Sequence, residues 1–136
     1  MHEFVNSEYY DFTKQESVAF NYVKNPSRSE LQEYVDAVVN VLVADGHYHP
    51  LMRNIVADFL LIYIFSDIDV HDILESNDAA MEEYVNSNTI AAVIKDGFGT
   101  DLTNEITEAI DDGVAYKVGF YKNPVSVEFA KLINKI

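Results

Sequence analysis

Hydrophobic positions divide the chain into a short aromatic lead and a series of helical segments. Residues 1–24 are rich in aromatic side chains, and the stretch SVAFNYV within them fits a short strand or a helical turn. Beyond residue 28, apolar positions recur at intervals of three and four, which is helical spacing. The pattern predicts a mainly α-helical protein, a compact bundle of about five helices around a buried central helix, with an aromatic-rich N-terminal segment that has room for a short strand.

The first predicted helix follows an Asn-Pro pair. Ser27 and Glu30 have the spacing of a capping box, in which each side chain accepts a hydrogen bond from a backbone amide of the first turn. The apolar positions that follow share one helix face: Leu31, Tyr34, Val35, Val38, Val39 and Leu42. Gly46 is a natural end for this helix, and the sequence DGHYHP is then expected to be a loop.

The second predicted helix is the central one and runs from about Pro50 to Phe65. Twelve of the fifteen residues from Leu51 to Phe65 are apolar, a composition typical of a helix buried on nearly all sides. A strand over Phe59–Phe65 is the alternative, because β-branched and aromatic residues are frequent there. We favour the helix.

Three further helices complete the predicted bundle. The third covers residues 78–96, with the polar stretch at Asn86–Thr89 as a point where it could break, and the glycine-rich sequence DGFGTD is expected to be a loop. The fourth starts near Asp101 and is expected to end near Gly113. The fifth begins at Asn123 and places these residues on one face: Val125, Phe129, Leu132, Ile133 and Ile136. At 136 residues, the chain is most simply a single domain, residues 1–136.

The charge distribution narrows the choice of partners. The formal net charge is -14, and residues 67–112 carry 13 acidic side chains against a single basic one, Lys95. Such a negative field repels nucleic acid and anionic membranes. We therefore expect a protein partner, including copies of this chain itself, with no direct nucleic-acid or membrane contact. The chain has no cysteine, which excludes disulfides and thiolate chemistry.

Four carboxylates in the fourth predicted helix form a candidate partner surface. Asp101, Glu105, Glu108 and Asp112 are spaced by four, three and four residues, which places them on one helix face. Carboxylates one helical turn apart repeat at roughly 5–6 Å, broadly comparable to phosphates along a nucleic-acid strand. This face fits mimicry of DNA toward a basic protein, and an ordinary solvated helix face is the alternative.

Two other groups are candidate partner surfaces. The lysines near the C-terminus are too sparse for a nucleic-acid patch, but they could meet the acidic middle of a neighbouring copy or pair within the monomer: Lys117, Lys122, Lys131 and Lys135. The N-terminal aromatics Tyr9, Tyr10 and Phe12 either cover the core or contact a partner.

Histidines and aspartates in two loops are the candidate metal ligands: His47, His49, Asp67, Asp69, His71 and Asp72. Imidazole and carboxylate ligands suit zinc, iron or manganese. The helical zinc spacing with histidines four residues apart is absent. The twelve positions from Asp67 to Asp78 match a calcium loop in length only, because Asp72 replaces the required glycine and Asp78 the required glutamate. We interpret both stretches as polar loops and expect no metal or other cofactor.

Motifs for covalent or phosphate chemistry are missing from the sequence. There is no GxSxG elbow, and the glycines at Gly97 and Gly99 lack the Lys-Ser/Thr of a P-loop. We therefore expect no enzymatic activity. A metal-dependent enzyme centred on His47, His49 and His71 is the weakest alternative.

The segment from Glu16 to Val70 resembles small helical proteins of tailed phages of low-GC Gram-positive bacteria. The resemblance is carried by an aromatic lead-in, a valine-rich helix, the loop GHYHP and an apolar helix that ends in SDIDV. It implies a virion assembly product of the neck, connector or tail-assembly type, located in the host cytoplasm or in the virion, and it transfers no catalytic residue. The acidic residues 67–112 depart from it.

These observations lead to two hypotheses for the function. The first is a non-enzymatic protein–protein interaction module, of the phage structural or assembly type. The second is an acidic inhibitor that mimics nucleic acid and blocks a host DNA-binding or defence protein.

Overall fold

A computed structural model describes residues 3–122, with side chains described through residue 119. This part of the chain forms an N-terminal β-hairpin, a second very short hairpin and six α-helices. The elements are β1 (Phe4–Asp11), β2 (Glu16–Val23), α1 (Arg28–Leu42), β3 (Val43–Ala44), β4 (His47–Tyr48), α2 (Arg53–Phe65), α3 (His71–Leu74), α4 (Asp78–Asn86), α5 (Ile90–Phe98) and α6 (Thr100–Lys122). The prediction of a mainly helical protein is confirmed. The predicted fifth helix, 123–136, lies outside the described residues.

The aromatic N-terminal segment is a regular β-hairpin. Strands β1 and β2 pair antiparallel over eight consecutive positions, from Phe4 opposite Val23 to Asp11 opposite Glu16. Their inward face packs aromatic rings, with the Tyr9 ring edge-on to Phe20 at a centroid distance of 5.4 Å. The stretch SVAFNYV, for which a strand and a helical turn were both considered, is therefore strand. A second strand, β1, precedes it and was not predicted.

Helix α1 begins with the predicted capping box. The Ser27 hydroxyl accepts a hydrogen bond from the Glu30 amide at 3.1 Å, and the Glu30 carboxylate accepts one from the Ser27 amide at 2.8 Å. The predicted apolar face is confirmed, because all six of its positions are buried: Leu31, Tyr34, Val35, Val38, Val39 and Leu42.

The loop expected after α1 contains a tight hairpin. Strands β3 and β4 pair across Asp45 and Gly46, whose φ angles are 54° and 78°. Positive φ at both central residues is the geometry of the turn that joins hairpin strands with the least strain, and Asp-Gly is one of its preferred sequences. The stretch predicted to be a loop therefore contains a tight turn and the short strand β4.

Residues 59–65 are helical, so the alternative of a strand is excluded. Helix α2 follows a 3-10 turn at Pro50–Met52, and six of its residues are buried: Val56, Phe59, Leu60, Leu61, Ile62 and Phe65. Its burial is one-sided, because Tyr63 is 40% and Ile64 is 37% exposed, and Leu51 in the preceding turn is 95% exposed. The apolar composition therefore overstated how completely this segment is covered.

Residues 67–98 form three helices where one was predicted. Helix α3 was not predicted, and the long helix expected over residues 78–96 is divided into α4 and α5 at its polar stretch. Asn77 caps α4 by accepting a hydrogen bond from the Ala80 amide at 2.8 Å. Gly97 is helical, and the loop expected between the glycines is reduced to Gly99, at a φ of 92°.

Helix α6 continues through Gly113, where the sequence predicted its end. A Cβ atom at Gly113 would lie 2.8 Å from the Cγ2 methyl of Val39 in α1. The glycine therefore permits close packing of two helices instead of ending one. Sequence alone does not separate these two uses of a glycine.

The buried apolar side chains of the hairpin and the helices belong to one cluster. It draws on β2 through Phe20 and Tyr22, and on helices α1, α2, α4, α5 and α6. Within residues 3–122, no helix is both long enough and apolar enough to cross a membrane.

Candidate partner-binding surfaces

Helix α6 presents its carboxylates to solvent. Asp101, Glu105, Glu108 and Asp112, here called the acidic face, are all exposed. Ile106 and Ile110 point the other way and are buried in the core. The apolar spacing of the helix fixes which side faces the core, and the acidic face is left outward.

Two ion pairs secure α6 to the rest of the protein. Glu105 pairs with Arg28 at the start of α1, and the neighbouring Asp111 accepts from Arg53 of α2, with an N···O distance of 2.7 Å. Both carboxylates are partly exposed, so these pairs position the helix more than they stabilise it. Within the described part of the chain, the other carboxylates of the acidic face, Asp101, Glu108 and Asp112, have no ion pair.

Of the four lysines in the predicted set, the structure describes the side chain of Lys117. The Lys117 ammonium donates to the Asn40 side chain of α1 at 2.7 Å, which is a contact within the monomer. The side chain of Lys122 and all of Lys131 and Lys135 lie outside the described residues. The prediction that these lysines bind a partner remains a prediction.

The three candidate aromatics divide between core and surface. Tyr9 is half-buried against Phe20, and its pKa is raised by burial and by the nearby carboxylates of Asp11 and Glu16. Tyr10 and Phe12 are 38% and 55% exposed and pack ring to ring at 5.3 Å at the hairpin tip. Only the exposed pair is accessible to a partner.

Asp67, a candidate metal ligand, instead joins the hairpin to the helices. Its two carboxylate oxygens accept hydrogen bonds from the backbone amide and the side-chain amide of Asn21, each at 2.9 Å. These hydrogen bonds, chiefly the one from the backbone amide, lower the pKa of Asp67. Both oxygens of the carboxylate therefore take part in a structural contact.

The other metal candidates are dispersed. Asp69 accepts a hydrogen bond from the His71 amide at 3.0 Å, and His71 contacts Glu75 one turn further at 3.1 Å. His47 and His49 are exposed in and after β4. In the region that the structure describes, no three histidine, aspartate or glutamate side chains are grouped so that they could hold a metal ion.

Sequence reasoning missed a cleft between α2, α5 and α6 that is lined by both charged and apolar side chains. Lys95 pairs with Asp58 at 2.7 Å there, beside the Arg53–Asp111 pair, around a cavity of about 80 Å³. The Tyr34 hydroxyl donates to the Ala57 carbonyl at 2.6 Å, and burial raises the pKa of this hydroxyl. The signal in the sequence was that Lys95 is the only lysine or arginine among residues 67–112. Its partner Asp58, however, is 37 residues away in sequence.

Comparison of the chain with protein-family models, with curated proteins and with solved structures finds no significant match to any of them. The function must therefore be inferred from the surfaces themselves.

Proposed function

We propose that the protein is a non-enzymatic protein–protein interaction module that binds a basic partner through the acidic face of α6. The observation that carries this proposal is that the four carboxylates are all exposed on one helix, while ion pairs at two points hold that helix in place. A helix that is already held in place loses little backbone freedom when a partner binds.

The exposed rings of Tyr10 and Phe12 add an apolar anchor for a protein partner. Aromatic side chains contribute much of the binding energy at interfaces, and charged groups around them contribute specificity and association rate. The C-terminal lysines belong to the same proposal as contacts between copies.

The specific form we propose is a structural or assembly component of a phage, acting in the host cytoplasm or in the virion. Support comes from the resemblance of residues 16–70 and from the small helical architecture. Such a role needs shape and charge complementarity and no catalytic group.

Mimicry of nucleic acid is the second candidate function. It is favoured by the regular spacing of the acidic face, where successive turns of one rigid helix carry a carboxylate. A mimic would occupy the groove of a DNA-binding protein and would compete with duplex DNA, whereas an assembly component would not.

A charge-reversal experiment tests the proposal. Glu108→Lys with Asp112→Lys should fold normally, since both side chains are exposed, and should lose the partner captured by the wild-type protein from host extract. Binding to the purified partner, measured by calorimetry at two salt concentrations, should weaken at least tenfold and become less salt-dependent.

The matched control makes the same charge change elsewhere. Glu82→Lys with Glu83→Lys alters two exposed carboxylates of α4 and should leave the affinity within about twofold of wild type. Equal loss in both variants would mean that only net charge matters, and unchanged binding by the α6 variant would refute the role of the acidic face. Adding duplex DNA then separates the mimic from the assembly component.

A further inference from the structure

The two outer edges of the N-terminal hairpin are each covered along only part of their length. On β1, the Tyr10 carbonyl accepts from the Thr89 amide at 3.0 Å, and the Phe12 amide donates to the Ser87 carbonyl at 2.8 Å. On β2, the Asn21 carbonyl accepts from the Asp67 amide at 3.0 Å. Residues 87–89 therefore cover β1 near the hairpin tip, and Asp67 covers β2 near the hairpin base.

These contacts also show which backbone groups point outward. Outward and inward residues alternate along an antiparallel strand, so the outward direction of Tyr10 extends to Glu8, Asn6 and Phe4. Within the residues that the structure describes, none of these three makes a backbone hydrogen bond on the outer side. The stretch from Phe4 to Glu8, here called the open edge, is a template for another strand.

Apart from the charge of Glu8, the open edge carries little of the usual protection against pairing. Strand β1 contains no lysine and no proline, and its pairing with β2 continues without a bulge over all eight positions. Phe4 at one end of the open edge is 54% exposed. Soluble proteins generally protect an edge of this kind or use it for binding.

The self-complementary pattern of the open edge selects a second copy of this chain as the occupant. Two chains of net charge -14 repel each other, and most of that charge lies in residues 67–112. The open edge carries one charged residue, Glu8, so two copies meet there with less repulsion than over α6. An antiparallel pairing centred on Asn6 uses the whole open edge of both copies and places Phe4 opposite Glu8 of the second copy, with no carboxylate facing a carboxylate.

We propose that the protein dimerises through the open edge, with two β1 strands pairing antiparallel about Asn6 to form a four-stranded sheet. This contact is isologous, the symmetry most common among homodimers. It uses none of the residues of the acidic face of α6.

Proline substitutions on the two edges test the proposal. Glu8 and Ala19 are paired directly within the hairpin, and the amide of each points outward, away from the other strand. Proline at either position removes an outward donor without removing a hydrogen bond inside the hairpin. Sedimentation equilibrium of the full chain should give twice 15.4 kDa for the wild type and for Ala19→Pro, and 15.4 kDa for Glu8→Pro.

Two substitutions of opposite charge at Phe4 give a second test, and neither removes a backbone hydrogen-bond donor. Phe4→Glu places a carboxylate opposite Glu8 of the second copy at both ends of the contact, and Phe4→Lys places an ammonium there. The dimer dissociation constant should rise at least about threefold for Phe4→Glu relative to Phe4→Lys.

Three results would overturn the proposal: a wild-type monomer at all concentrations, a dimer that survives Glu8→Pro, or a dimer that only Ala19→Pro disrupts. If Glu8→Pro fails to fold by circular dichroism, the two Phe4 variants decide. The α6 double-lysine variant should keep the dimer mass, so failure of the acidic-face proposal is distinguishable from failure of this one.

Discussion

The hairpin and the α1–α6 pair are attached to the core in different ways. Besides the side chains that it adds to the apolar core, the hairpin is held by directional contacts, namely backbone hydrogen bonds to residues 87–89, the hydrogen bonds between Asn21 and Asp67, and the Tyr22 ring against Gly97. The helix pair packs through apolar side chains, with polar pairs such as Lys117–Asn40 at its rim. A side chain added at a glycine should therefore cost more at Gly97, where it meets the Tyr22 ring, than at Gly113, where it meets one methyl group of Val39.

The largest effect is expected at Gly97, where the hairpin meets α5. A Cβ atom there would lie 2.1 Å from the Tyr22 hydroxyl oxygen and 2.7 Å from two ring atoms. The ring is buried and stacks on Phe20 at 5.8 Å, so it cannot move aside cheaply. Gly97→Ala should lower the free energy of unfolding by about 3 kcal/mol, although alanine is the better helix former, as measured by denaturant titration.

The double variant Gly97→Ala with Tyr22→Phe identifies the cause. Tyr22→Phe removes the atom of closest approach, so the cost of alanine should be smaller in the Tyr22→Phe background. A cost that is the same in both backgrounds would show that the Tyr22 hydroxyl is not the obstacle.

The next largest effect is expected at Asp67, whose carboxylate accepts two hydrogen bonds from Asn21. Asp67→Ala should lower the free energy of unfolding by about 1–2 kcal/mol at neutral pH, because two hydrogen bonds to Asn21 are lost. The nearby exposed Asp72→Ala, on α3, should change it by less than about 0.5 kcal/mol. Thermal or denaturant unfolding of the three proteins makes the comparison.

The hydrogen bonds to the Asp67 carboxylate also predict how protein stability depends on pH. The folded-state pKa of Asp67 is lowered below its ordinary value of 3.8, so its contribution is fully present above pH 3.8 and is lost as the pH falls through the folded-state pKa. The stability difference between wild type and Asp67→Ala should therefore shrink on acidification. A difference that stays constant down to the acid transition would show that ionised Asp67 is not the stabilising form.

Features set by neighbours in sequence were predictable, and features set by distant contacts were not. The capping box of Ser27 and Glu30 and the buried face of α1 follow from local spacing, and so does the exposure of the acidic face. The Asp-Gly pair at positions 45 and 46 is a local hairpin signal, although the stretch that contains it was predicted to be a loop. The coverage of the hairpin edges depends on residues 46 to 79 positions away, which no local pattern reveals.

The smallest effect is expected at Gly113, where α6 lies close to α1. The apolar pattern of these helices does not reveal this close contact, so the glycine was predicted to end α6. Only one atom, the Val39 Cγ2 methyl, would be crowded by a Cβ there, at 2.8 Å, while the other Val39 atoms would stay at 3.8 Å. Alanine also gains up to about 1 kcal/mol as a helix former, which offsets the crowding. Gly113→Ala should therefore change the free energy of unfolding by less than about 1 kcal/mol. In a Val39→Ala background the crowding is gone, so Gly113→Ala should raise the free energy of unfolding relative to Val39→Ala alone. A loss as large as that of Gly97→Ala would mean that the α1–α6 contact is as inflexible as the hairpin contact, and the distinction between the two regions would fail.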